Sequence, residues 1–429
     1  MSIVSTFSAA GSRALGHIGH LDQNRGFDDT RIPIVYYTAH YDPRMSIYNF
    51  NTNTHESFYW FSDDGSFYAE GGRTSILIAP NKQIYIVSSA SSSNASKYDT
   101  AWLDTDDTME RTRNHYSNFN GYGEQRTAVT WNPNYEQAIY HVSPHYNTNT
   151  LGFTMRIEEG GASITHRTPD GGTGSASPWH YGGCSGMALL KDTDSMGNTS
   201  SGDEILMIGK QAYGLSEDGK LYVDDDFTYA DNANNFYRTP NSTASTSSSP
   251  PYNAMSGRQD ASYDSVAPYS KTKAVMSVSN YDSEYTTWYY DTTTSLTAPA
   301  HSSVNSIVSN DYWRRVFPMA TGVWGAYSFK AIKVFKGGLS AAPDWDTDLT
   351  SALSIGSTSS DYRVMMVIGT GDHLYVLRKL QGGSYTTKMD KIIFNLGTGT
   401  YTMSTNTITG EIAGNSFDQY DTILQYYTT

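Results

Sequence analysis

The chain has 429 residues, with 29 Lys and Arg against 43 Asp and Glu, a formal net charge of −14. That balance, with no Lys/Arg cluster of useful length, argues against nucleic acid and anionic membrane surfaces as partners, since both need a cationic face. No segment approaches the roughly 18 apolar residues of a membrane helix, so no membrane insertion is expected, and the single Cys184 rules out an intrachain disulfide.

Charged residues make up only 17%, aromatic residues 13%, and 34 positions are Tyr and 37 Gly. β-branched and aromatic residues suit a pleated surface, and Gly, Asn and Asp suit turns. Almost no long run places apolar residues at helical spacing, so the expected class is all-β.

From the N-terminus, "MSIVSTFSAAGSRALGHIGHLDQNRG" lacks a basic leading region and a long apolar stretch, so it does not read as a signal peptide. Short strands with a central Tyr then recur. "IPIVYYTA" (32–39), "NKQIYIVS" (81–88), "YEQAIYHVS" (135–143), "DGKLYVDD" (218–225), "EYTTWYYD" (284–291) and "GDHLYVLR" (371–378) are the copies, the first and fifth being weaker. Another strand precedes several of them: "TSILIAP", "TAVTWNP", "EILMIG" and "RVMMVIG". A third, more polar strand follows some, as in "DTAWLDT" and "LGFTMRIEE".

The central tyrosines Tyr36, Tyr85 and Tyr140 are 49 and 55 residues apart. The next intervals, to Tyr222, Tyr289 and Tyr375, are 82, 67 and 86 residues. They hold the loops "RTPDGGTGSASPWHYGGCSG" and "RTPNSTASTSSSPPYNAMSG" and a degenerate unit around "GAYSFKAIKVFKGG". A period near 50 with three or four short strands per unit is the signature of a β-propeller. The count gives six or seven blades over residues 30–429, behind an extended arm at 1–29. The paired runs around Gly209–Asp226 are expected to be the inner two strands of one blade; an array of hairpins in a β-sandwich is the competing arrangement.

Two acidic stretches suggest calcium. In "KDTDSMGNTSSGDE", taking Asp192 as position one puts Asp194 at three, Gly197 at six, Asn198 at seven and Asp203 at twelve. This follows the oxygen-ligand spacing of a calcium loop, except that Met196 falls where an oxygen belongs. With the strand "EILMIG" behind it, the stretch resembles the calcium loops of FG-GAP propeller repeats. In "PDWDTDLT", Asp344, Asp346 and Asp348 alternate, so a strand would hold all three on one face, where like charges repel unless a cation intervenes. Asp224–Asp226 reads instead as a charged strand end that discourages edge pairing.

Signals for catalysis are thin. "GGCSGMA" (182–188) only approaches a nucleophile elbow, and a lone Cys beside glycines usually belongs to a turn. His40, His55, His115 and His180 sit in tyrosine-rich surroundings and read as surface or packing residues, and the His141–His145 spacing lacks a Glu partner. Glycan hydrolysis needs two carboxylates about 5–10 Å apart, and Glu56, Glu110, Glu158, Glu159 and Glu204 fall in no pairing motif. The expectation is a binding protein, not an enzyme. The surplus aromatics, Tyr59 and Trp60 in "HESFYWFSDDGSFYAEGG" and Trp288 and Tyr289 in "EYTTWYYD", are the candidate binding platforms.

The opening "MSIVSTFSAAGSRALGH" resembles the short anchoring arms that begin many tailed-bacteriophage appendage proteins. The resemblance covers this arm alone. It implies a virion protein made in a host cytoplasm, docked onto other virion proteins through residues 1–25, oligomeric, and carrying its propeller outward as a spike, fibre head or decoration. The ligand implied is a neighbouring subunit or a host-surface glycan. A glycan-degrading tailspike enzyme and a cellular propeller lectin are the alternatives.

Overall fold

A computed structural model describes residues 30–37, 43–60, 74–79, 84–92, 95–103, 109–115, 125–132, 137–144, 153–157, 164–167, 184–191, 204–210, 221–227, 262–270, 272–279, 285–291, 315–338, 342–382, 386–409 and 422–426. Among them there is no helix, and the strands form seven sheets, each built on an antiparallel meander of consecutive strands, with the last strand added in parallel to the second sheet. Sheet 1 is β1 (Arg31–Tyr37), β2 (Pro43–Asn49) and β3 (Thr54–Trp60). Sheet 2 is β4 (Thr74–Ile78), β5 (Ile84–Ser92), β6 (Ala95–Leu103) and β7 (Met109–His115). Sheet 3 is β8 (Gln125–Asn132), β9 (Gln137–Pro144), β10 (Phe153–Ile157) and β11 (Ile164–Arg167). Sheet 4 is β12 (Cys184–Lys191), β13 (Glu204–Lys210) and β14 (Leu221–Phe227); sheet 5 is β15 (Ser262–Ser270), β16 (Lys273–Ser279) and β17 (Tyr285–Asp291). Sheet 6 is β18 (Arg315–Ala320), β19 (Val323–Ser328), β20 (Ala331–Gly337) and β21 (Pro343–Asp348). Sheet 7 is β22 (Tyr362–Thr370), β23 (His373–Leu380), β24 (Thr387–Phe394) and β25 (Tyr401–Ile408).

The first strands of sheets 2 to 7 touch one another in turn: β4 lies against β8, β8 against β12, β12 against β15, β15 against β18 and β18 against β22. The last strand, β26 (Thr422–Tyr426), touches β22 and pairs in parallel with β4, which closes the inner ring. Sheet 1 sits between the last and second sheets. Its Ile32, Ile34 and Tyr36 share one buried cluster with Ile76 and Ile78 of sheet 2 and Ile368, Tyr375 and Met389 of sheet 7. The described residues therefore form an all-β propeller of seven blades. Each blade buries both faces only because a neighbour covers them, so apolar residues run continuously along its inner strands, as in Val364–Ile368 and Leu374–Leu377.

Most of the paired runs legible in the sequence are the first and second strands of a blade, as expected. In blade 4 they are not. There "EILMIG" and "LYVDD" form β13 and β14, the second and third strands, and the first is β12, "CSGMALLK". The stretch around Gly209–Asp226 is thus the middle and outer pair. Glycines in "GGCSG" suggest a turn, but Gly186 has a packing role. A Cβ on it would lie 2.5 Å from the Val266 carbonyl oxygen, so blades 4 and 5 meet there at backbone distance. "EYTTWYYD" is likewise the third strand, β17, of blade 5. The arm 1–29 lies outside the described residues.

Candidate functional surface

Blades 6 and 7 carry the fullest side-chain description and include one of the two acidic stretches. β21 alternates: Asp344, Asp346 and Asp348 are exposed, while Pro343, Trp345 and Thr347 are half-buried. The three carboxylates share a face, as the alternation predicts, and the inward residues fasten blade 6 to blade 7. The Trp345 indole N–H donates to the Leu396 carbonyl at 3.2 Å, and its ring stacks on Phe394 with centroids 6.0 Å apart. The Thr347 hydroxyl donates to the Gly399 carbonyl at 2.9 Å. Gly399 has φ of +73°, and a Cβ there would lie 2.6 Å from the Trp345 ring. Only glycine fits both demands.

The outward row does not converge on one point. Residues two apart on a strand are about 6.6 Å apart, so three carboxylates span about 13 Å, while a calcium ion takes oxygens at about 2.3–2.6 Å. The nearest described cation is Lys333, whose Nζ lies 3.7 Å from Asp348 Oδ2; the other Asp348 oxygen accepts the Thr350 N–H at 2.9 Å. Asp344 stands beside Tyr269, whose hydroxyl donates to the Gly322 carbonyl at 3.1 Å. Burial, and then the Asp344 charge, hold that phenol above its ordinary value. Among the described residues no group of three His, Cys, Asp or Glu side chains is placed to hold a metal ion. The other candidate ligands, Asp192, Asp194, Asn198 and Asp203, lie outside the described residues.

Tyr59 and Trp60 lie at the end of β3, facing Met45 and Arg44 in register, and Trp288 and Tyr289 lie in β17, facing Met276 and Val275. Their strand positions are described and their side chains are not. Two polar residues singled out in the sequence are bonded in blade 1, Glu56 within the blade and His55 where it closes on the chain after blade 7. Glu56 accepts from Arg31 Nε at 2.7 Å and from the Asn49 amide at 2.5 Å. His55 Nδ1 lies 2.6 Å from the Ser46 hydroxyl, its ring packs 5.3 Å from Tyr48, and burial lowers its basicity. His55 is a packing residue here, and Glu56 joins the strands of its own blade at the surface. Beside them, the Asn406 amide of β25 donates to the Tyr48 hydroxyl at 3.0 Å and to the Phe50 carbonyl at 2.6 Å.

Sequence reasoning missed the charges inside blade 7. Arg378 Nε and Nη2 donate to Asp390 at 2.6 and 3.0 Å, and Nη1 donates to the Leu353 carbonyl at 2.6 Å. Thr405 donates to Asp390 at 2.5 Å, and the Arg378 guanidinium lies 4.5 Å from the Tyr362 ring centre. Asp390 is wholly buried and Arg378 nearly so. The signal was available: in "LYVLRKL" and "TKMDKIIF" single charges occupy positions the apolar alternation assigns to the inside. At the tip of the β22–β23 hairpin, His373 Nδ1 lies 2.6 Å from Asp372 Oδ1 and its ring stacks on Tyr375. An Asp–His couple supplies two parts of a hydrolytic triad; acyl transfer also needs a nucleophile bonded to the far imidazole nitrogen.

No protein-family model matches the chain, and no curated protein matches it. Its likeness to solved structures is distant. A chain from a structural analysis of two prolyl endopeptidases aligns over 95% of this chain and 54% of its own, at 10% identity and a TM-score of 0.42. This chain therefore spans about half the length of that one. The Aleuria aurantia lectin in complex with Fucalpha1-6GlcNAc aligns over 80% of this chain and 97% of its own, at 8% identity and a TM-score of 0.43. The Nup133 β-propeller domain of Vanderwaltozyma polyspora aligns over 83% and 92%, also at 8% identity and a TM-score of 0.43. At these values no residue's role passes from any of them to this chain.

Proposed function

We propose that the chain is a structural protein of a tailed-phage virion, held by residues 1–25 on a neighbouring virion protein and presenting its propeller for contacts with other subunits or a host-surface glycan. It acts by binding and not by catalysis. The observation that carries the reading is the use made of the polar side chains in the described blades. Glu56, His55, Asn406, Thr347 and the Arg378–Asp390 pair are all committed to joining strands or neighbouring blades. A chain that uses these polar side chains to hold strands and blades together, behind an opening that resembles a phage anchoring arm, suits an appendage whose task is to stay assembled. Its acidic surface and lack of basic clusters fit a partner that is protein or glycan, not nucleic acid.

Deleting residues 2–25 tests this. The shortened chain is expected to keep the circular dichroism and melting temperature of the full chain and to be lost from purified particles. Undiminished incorporation would overturn the anchoring role.

A further inference from the structure

Edge strands carry unpaired backbone N–H and C=O groups, and proteins commonly keep other chains off them with charged residues. Six of the seven blades follow this rule in their last described strand. β3 carries Glu56, β7 Glu110, Arg111 and Arg113, β11 Arg167, β14 Asp224–Asp226, β17 Asp291, and β21 the three aspartates. β25, "YTMSTNTI", is the exception: it carries no charge and no proline. It pairs only with β24 among the described strands, and Thr402, Met403, Ser404, Thr405 and Thr407 are exposed. The two exposed large apolar side chains among the described residues, Ile393 at 37% and Met403 at 39%, lie on this same β24–β25 hairpin.

We propose that the edge of β25 left unpaired among the described strands is an interface that pairs antiparallel with β25 of a second copy of this chain, giving a two-fold dimer. Charge selects this occupant. Two copies of a chain with a formal charge of −14 repel wherever acidic surfaces meet, and joining two β21 edges would set aspartates against aspartates. β25 is the one blade-ending strand among the described residues that carries no charge, so two copies meet there with no charge to bury or oppose. Its sequence also suits pairing with itself. With Ser404 opposite Thr405 of the partner subunit, Thr402 faces Thr407 of the partner subunit, and Met403 faces Asn406 of the partner subunit. Thr–Thr and Thr–Ser cross-strand pairs are favourable, and a two-fold axis uses each pair twice. Thr405 and Asn406 are bonded to Asp390, Tyr48 and Phe50 of their own copy, which ties β25 to its own blade and to blade 1.

The inference stands apart from the virion reading, because its test uses the purified full-length chain in solution. Sedimentation velocity across the micromolar range is expected to show a reversible dimer. Ser404→Lys and Met403→Lys, on opposite faces of the strand, are each expected to weaken it about tenfold or more while leaving the melting temperature unchanged. Asp346→Lys, on the β21 edge, is the control and should leave the dimer intact. A chain that stays monomeric throughout would overturn the proposal, as would lysine variants that dimerise like the parent. A dimer lost on deleting residues 2–25 but kept by both lysine variants would assign the contact to the arm, and would overturn it too.

Discussion

Blade 7 is fastened to its two neighbours in different ways. Toward blade 6 the seam is mainly apolar: Phe317, Val323 and Ile332 share a buried cluster with Val364, Leu374 and Ile392, and Trp345 stacks at its margin. Toward blade 1 there is also a shared apolar cluster, but the outer part of the seam is polar, made by Asn406 on Tyr48 and Phe50 with His55 close by. The partners across the first seam are 51 and 52 residues apart in sequence, and across the second 358 and 356. Consecutive blades meet through a short connection, so apolar burial, with the Trp345 anchor and the Trp345 and Thr347 hydrogen bonds, joins partners already close in sequence. The closing seam joins the two ends of the ring, where loop-closure entropy is greater and wrong pairings are more numerous. There the Asn406 hydrogen bonds to Tyr48 and Phe50 single out a mate that the chain connection does not supply.

The comparison breaks most sharply at Gly399. Gly399→Ala forces an L residue to φ of +73° and drives a methyl group into the Trp345 ring. The combined left-handed and overpacking penalties come to about 2–4 kcal/mol. Chemical denaturation should show that loss, with Trp345 fluorescence shifting toward the solvated range. At the closing seam, Asn406→Ala removes two hydrogen bonds and leaves the Phe50 carbonyl to water, at a cost of about 1–2 kcal/mol. Its signature should be local: faster hydrogen exchange in β1, β2 and β25, with blades 5 and 6 unchanged. Equal acceleration in every blade would show that the ring opens as one unit and that the two seams do not differ.

The class and ring of this fold were legible because both rest on short-range pattern. A Tyr-centred strand after a polar turn recurs near 50 residues, and that repeat located the hairpins of blades 2, 3 and 7. What failed was the assignment within a blade. β12 is rich in small residues because Gly186 must admit the Val266 backbone, so the strand looks like loop. Once it was passed over, β13 and β14 took its place at the centre. The alternation of β21 was read correctly as putting three aspartates on one face, but spacing along a strand cannot say whether side chains converge. The Asn406–Tyr48 contact carried no sequence signal, since partners 358 residues apart share no motif. The buried Arg378–Asp390 pair was partly legible as charges on the inward phase, though only the hairpin register brings the two together.

The smallest effect concerns pH, and it separates the two seams without removing a packing contact from the apolar one. His55 sits in the closing seam with its basicity lowered, chiefly by burial and against an opposing hydrogen bond to the Thr409 backbone. A folded-state value below the unfolded 6.5 means the unfolded chain takes up the proton more readily. The stability contribution is therefore full above pH 6.5 and is lost as pH falls from there through the folded value. His55→Gln keeps a hydrogen-bonding side chain near Ser46 but cannot titrate. Between about pH 7 and about pH 5 the melting temperature of the parent should fall more steeply than that of the variant. Carboxylates common to both proteins contribute equally and drop out of the difference. Parallel curves would mean that protonated His55 is accommodated without loosening blade 1, and that the seam's specificity rests on Asn406 alone.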